Sequence, residues 1–154
     1  MRRTWLLVFP LCAAVGCVRA PPGPVRHVVR GAEAPAFRIS QGKGTARLLV
    51  NAETGASAAS LGVLVLQAGA GVPEHTHETS VEMLYVEEGS AEMTVEGQVL
   101  PVRAGDAVYI PAGTRHAARI PEGSPDFRAV QVYVGPGPEQ RFRQGEPLPP
   151  APAP

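Results

Sequence analysis

Very little in this chain of 154 residues is cysteine, aromatic or in excess charge, and each shortage removes a class of explanation. There are two cysteines, Cys12 and Cys17, both near the start, and no CxxC pair. A disulfide framework or a thiolate metal cage in the body of the chain is therefore excluded. Eight aromatic residues in all leave the core to be filled by Val, Leu, Ile and Ala. Fourteen basic residues balance fourteen acidic ones, so there is no electrostatic footprint for nucleic acid. A phosphate-cradling GxxxxGK[ST] loop is absent, as is a Ser/His/Asp signature, so any chemistry must come from a metal. Apolar runs are short, and Trp5 to Ala14 falls well below the roughly 20 residues that span a bilayer.

That apolar run follows Arg2-Arg3 and ends in Ala14-Val15-Gly16-Cys17. A basic start, a short apolar stretch and small residues before a cysteine predict an export signal over residues 1–16. The last four residues resemble a bacterial lipobox, relaxed in having Ala14 where Leu is usual. The resemblance implies lipidation of Cys17 and a membrane-anchored lipoprotein facing the periplasm; a secreted or soluble periplasmic protein is the alternative. Loss of residues 1–16 would leave 12 basic against 14 acidic residues and no free thiol. Residues 17–35, with Pro21-Pro22-Gly23-Pro24, read as a flexible tether, and residues 144–154, rich in Pro and Ala, as a disordered or polyproline-like tail.

Between these flanks, residues 36–143 carry short runs of β-branched residues separated by turn signals. Strands are expected at Ala36–Ser40, Thr45–Asn51, Ala59–Gln67, Glu82–Glu87, Ala91–Glu96, Gln98–Val102, Ala107–Ile110, His116–Ile120 and Phe127–Val134, with a hairpin at Glu96-Gly97-Gln98. Helical periodicity is not found beyond the signal segment. Many short, closely spaced strands predict an all-β sandwich or barrel.

Three of the four histidines and one glutamate fall in two Gly- and Pro-punctuated stretches. His75 and His77 are two apart, so in extended backbone they leave from one face. Glu82 alternates with Leu84 and Val86 on the face expected to be buried, where a lone carboxylate is costly unless it is paired or bound to a metal. His116 shares a face with Ala118 and Ile120. Imidazoles with one carboxylate suit a single divalent first-row metal, Mn, Fe, Zn, Ni or Cu, rather than an all-oxygen Mg or Ca site. His27 lies in the tether and is read as solvated. Alternation predicts a site lined by Leu84, Val86, Met93, Val108, Ile110, Ala118 and Ile120, with Gln131 and Tyr133 joining if their strand adopts the opposite register.

The two stretches match G-x5-H-x-H-x4-E-x6-G over Gly69 to Gly89 and G-x5-P-x-G-x2-H-x3-N from Gly105, except that Ile120 stands where the pattern has Asn. These are the paired motifs of the cupin superfamily, which the chain resembles. The resemblance implies a double-stranded β-helix, or jelly roll, with His75, His77, Glu82 and His116 as metal ligands. The absent Asn is not a ligand in that pattern, so its loss bears on strand closure or polarity around the site. Small single-domain members are commonly dimers, and outward-facing Met83 and Tyr85 would suit such an interface.

The expected function is that of a small metal-dependent enzyme of dioxygenase or isomerase type acting on a small organic molecule. Glu82 would be both ligand and catalytic base. The alternatives are a non-catalytic periplasmic module that binds or senses a small ligand or metal, and a purely structural metal.

Overall fold

The computed structural model describes residues 24–135 and 137–150, so the expected signal segment and Cys17 lie outside the described residues. Eleven strands are seen among them: β1 (Ala36–Ile39), β2 (Gly44–Val50), β3 (Ala59–Leu66), β4 (Gly71–His75), β5 (Val81–Glu88), β6 (Ser90–Val95), β7 (Gln98–Arg103), β8 (Ala107–Ile110), β9 (His116–Arg119), β10 (Phe127–Val134) and β11 (Glu146–Pro147). Every pairing between them is antiparallel. One sheet has the order β11-β1-β2-β3-β10-β5-β8 and the other β4-β9-β6-β7, forming a double-stranded β-helix.

Period-two alternation gives each sheet an apolar inner face. In β5, Glu82, Leu84 and Val86 are buried while Tyr85 and Glu87 are exposed; in β10, Phe127, Ala129, Gln131 and Tyr133 are buried. Leu66, Val86, Ile110, Ile120, Phe127 and Tyr133 are at most 1% exposed and form the heart of the core. Burying each such side chain contributes about 1.5–3 kcal/mol. The hairpin at Glu96-Gly97 is present: Val95 pairs with Gln98, and both turn residues have positive φ, 47° and 79°. That is the geometry of a two-residue turn whose twist matches the strands.

Four details differ from the sequence expectation. β4 was not expected, because Pro73 interrupts it; it survives as the edge of the four-stranded sheet, where the missing N–H costs nothing, and its register shifts between Val72 and His75. Residues 138–144 form a 3-10 helix where no helix was expected, led by Pro138. The tail is not free from residue 144: Glu146 and Pro147 pair with β1, Arg38 contacts Glu146 at 3.1 Å, and Leu148 N donates to Ala36 O. The second half of the expected tether is likewise laid on the domain, since Arg47 Nη1 donates to Gly31 O and Ala34 O and Arg26 N donates to Thr54 O. His27 is exposed, as expected.

Ile120, at the position where the motif has Asn, is fully buried. Its backbone N–H donates to Ala70 O at 2.9 Å, and its carbonyl accepts from Gly69 N at 3.1 Å. Main-chain bonds thus close this corner, and an apolar side chain fills the space.

Gly89 tests how tightly the first motif is bound into the fold. Its φ is +73°, and a Cβ there would collide with the Asp126 carbonyl, whereas Gly97 has φ +79° with open space around it. In urea denaturation, Gly97→Ala should cost about 1–2 kcal/mol from left-handed strain alone. Gly89→Ala should cost clearly more, roughly 3 kcal/mol or above, because backbone must move. Equal losses would remove the packing role assigned to Gly89.

Candidate metal centre

Each of the four predicted side chains arrives from a different local structure. His75 ends β4 and pairs directly with His116, which opens β9. His77 lies just past β4, and its carbonyl accepts the Gly113 N–H at 3.0 Å, so the Pro111–Thr114 turn of the second motif is pinned to the first. Glu82 reaches across from β5 in the opposite sheet. Their ligand atoms all lie within 4.8 Å of one another. His77, Glu82 and His116 are buried and His75 is half-buried.

Hydrogen bonds define the chemistry of each ring. His75 Nδ1 lies 2.8 Å from Pro73 O, and His116 Nδ1 lies 2.8 Å from Thr114 O. A carbonyl only accepts, so both Nδ1 atoms carry the proton. His75 Nε2 is then left with a lone pair, buried and without any partner among the described residues. An orphaned acceptor facing two more imidazoles and a carboxylate is what a divalent transition metal would satisfy. Glu82 Oε2 accepts from His77 Nε2 at 3.0 Å and His116 Nε2 at 3.1 Å. Its other oxygen, Oε1, accepts from Gln131 Nε2 at 2.7 Å. The residues present therefore fit a metal site of three imidazoles and one carboxylate.

Burial lowers the His75 pKa to about 4, with the Arg141 guanidinium adding to the effect. Burial alone would also lower His116, but its hydrogen bonds to Glu82 and to the Thr114 carbonyl outweigh this and raise it. For Glu82, burial favours the neutral acid, yet the hydrogen bonds from His116, His77 and Gln131 prevail and hold the carboxyl well below its usual range. Tyr133, edge-on to His77 with ring centroids 5.0 Å apart, has its pKa raised by burial and by the Glu82 charge.

The cluster borders a small apolar chamber of about 30 Å³. Of the predicted lining residues, Leu84, Met93 and Ala118 face it. Val86, Val108, Ile110 and Ile120 do not; they share the inward face but pack in the core elsewhere along the barrel. Gln131 lines the chamber and supports Glu82, while Tyr133 is buried outside it. Sequence reasoning missed Leu64, Leu66, Val72, Phe127, Arg141 and Phe142. The last two sit on the 3-10 helix, whose only signal was a Pro-to-Gly stretch too short for periodicity.

Residues 62–133 match the cupin domain family. The tetracenomycin polyketide synthase protein TcmJ of Streptomyces glaucescens is 34% identical over 123 residues, which cover 79% of this chain and 81% of TcmJ. Polyketide synthase CurC of Streptomyces cyaneus is 35% identical over 72 residues, 47% of each chain. Among solved structures, the polyketide cyclase RemF from Streptomyces resistomycificus superposes with a TM-score of 0.63 at 25% identity, over 74% of this chain and 82% of that one.

Metal uptake should follow from the proton positions. Zinc added to chelator-stripped protein should bind near one equivalent and release a proton from His116, whose pKa is raised by its bonds to Glu82 and the Thr114 carbonyl; His75, lowered by burial to about 4, should release none. Affinity should therefore fall as pH falls. His116→Ala should weaken binding by at least about 100-fold. Calorimetry in two buffers of different ionisation enthalpy reads both stoichiometry and proton release, and wild-type protein that takes up no metal would refute the site.

Proposed function

Because this chain belongs to the cupin family, we propose that it is a small metal-dependent enzyme acting on an oxygenated, largely apolar small molecule of polyketide type. The observation that carries the reading is a buried cluster of three histidines and one glutamate facing an apolar chamber. The extended similarity to TcmJ and the structural match to RemF support the substrate class. The chemistry is of oxygenase, isomerase or cyclase type. Bound at His75, His77, Glu82 and His116, a divalent Mn, Fe, Zn, Ni or Cu ion would supply a Lewis-acid or redox centre for a carbonyl or enol oxygen.

The chain's own residues divide the remaining work. Pro73 O and Thr114 O orient two imidazoles through their Nδ1–H groups. Gln131 fixes the Glu82 carboxylate by its Oε1 and leaves Oε2 toward the histidines. Among the described residues Glu82 is the only carboxylate facing the chamber, so it is the group placed to take a proton from a substrate carbon. Leu84, Met93 and Phe127 exclude water from that proton transfer.

A second reading, a binding or sensing module, is favoured by one specific observation. The hydrogen bonds that hold Glu82 ionised also make it a weak base, and no other carboxylate among the described residues lines the chamber. A module of this kind would be stabilised by its ligand without turnover. His77→Ala separates the two: an enzyme should lose at least about 100-fold in kcat/KM on an enolisable polyketone while its circular dichroism stays that of wild type. Unchanged turnover in the folded variant would sink the enzyme reading.

We also infer, from the Arg2-Arg3 start and Ala14-Val15-Gly16-Cys17, that the chain is exported and anchored through lipid on Cys17. Two acyl chains suffice for stable attachment. Mass spectrometry of membrane-extracted protein should show a diacylated chain starting at Cys17, and Cys17→Ser should move the protein out of the membrane fraction. An unmodified Cys17 in membrane-extracted protein would exclude the anchor.

A further inference from the structure

A chamber of about 30 Å³ has room for only one or two atoms beyond a water molecule, so it cannot enclose an organic substrate. Directly outside it runs an open groove of about 800 Å³. Five residues line both spaces: Val72, His75, Ala118, Arg141 and Phe142. A molecule that reaches the cluster must therefore lie in the groove and project one end inward past Arg141 and Phe142.

The charges along this path are one-sided. Arg141 is half-buried on the 3-10 helix Pro138–Gln144, with its guanidinium 5.3 Å from the Phe142 ring centroid. Among the described residues no carboxylate lies within 4.0 Å of it, although Arg38, Arg115, Arg119, Arg128 and Arg143 all have acidic partners. The nearby acids are already engaged: Glu82 by His77, His116 and Gln131, and Glu139 by Ser60 at 3.1 Å and Gln140 at 3.0 Å. Lys43, exposed in the groove, also has no carboxylate partner among the described residues. The one acid among the described groove residues, Glu74, lies 3.7 Å from Arg115. A partly desolvated guanidinium with a rigid fork of donors and no internal anion is built to take a planar anion.

We propose that Arg141 is the specificity residue that binds a carboxylate on the substrate, holding the acid at the chamber mouth while a neighbouring oxygen of the same molecule enters toward the histidines. The inference rests on the reading of the cluster as the reacting end, and it adds a substrate class: a small organic acid bearing a second oxygen close to its carboxylate, its body lying in the groove.

Salicylate and its uncharged counterpart salicylamide probe the proposal by calorimetric titration of zinc-loaded and of metal-free protein. Wild type should bind salicylate at least about tenfold tighter than salicylamide, the ratio expected of one charge-assisted bidentate contact. Arg141→Met should bring the ratio to about one while zinc content and melting temperature stay those of wild type, and Arg141→Lys should restore part of it. A wild type that does not distinguish the two probes, or a folded Arg141→Met that still does, overturns the proposal. A protein that binds no zinc but keeps an Arg141-dependent ratio supports the arginine's role and removes the metal reading instead.

Discussion

The structure is organised around one buried carboxylate. Glu82 is 4% exposed, on a strand face whose neighbours are Leu84 and Val86. An ionised carboxylate in such a place costs several kcal/mol unless its lone pairs are met. They are met from three directions: His77 from the loop after β4, His116 from the facing sheet, and Gln131 from the adjacent strand β10. Satisfying one acid therefore ties together both sheets and the connection between them. The same convergence leaves a buried lone pair on His75 with no partner among the described residues, and that is the opening for a metal. Folding and the candidate metal centre depend on the same side chains.

The second constraint is how the two motifs are held in mutual register. His75 and His116 are direct partners across β4 and β9, and the Gly113 N–H docks on the His77 carbonyl. These are backbone relations, insensitive to most side chains. They explain why Ile120 can replace a polar residue at the end of the second motif without opening the barrel: Gly69 and Ala70 are bonded to its main chain. What the replacement changes is polarity, making that side of the interior a closed apolar surface.

The convergence of these four side chains was legible in the sequence because spacing within a strand transmits directly to side-chain direction. His75-x-His77 and the alternation of Glu82, Leu84 and Val86 need only local extended geometry. Tyr85, outward and 52% exposed between buried Leu84 and Val86, was legible for the same reason. Gln131 was legible only as one of two registers, since its role depends on how β10 meets β5: Tyr133 stands opposite Glu82, so Gln131 reaches it diagonally. Pro73 concealed β4 because a proline excludes central strands but not edges, and being an edge is a property of the whole sheet. The 3-10 helix at residues 138–144 and the two-residue strand β11 are shorter than any period that could announce them. Arg141 was hidden by both facts, lying on an unannounced turn and acting on a space that exists only once the barrel closes.

That hidden turn separates two spaces with different chemistry. The inner chamber has an apolar lining, and low polarity strengthens every charge interaction at its edge. The outer groove is open and carries Lys43, Arg141 and the amides of Gln41 and Gln144. Selection by shape in the chamber would be weak, since only one or two atoms can enter and a methylene in an apolar pocket is worth about 1–3 kcal/mol. Selection by charge and reach in the groove is stronger, because a ligand lacking an anion would leave a half-buried guanidinium without a counter-charge. Evolution could then alter the substrate by changing the groove and the 138–144 turn while leaving the four converging side chains untouched. On the function proposed above, the barrel's reactive end is fixed by a buried acid and its specificity lies on a short turn outside it, so one is free to change without the other.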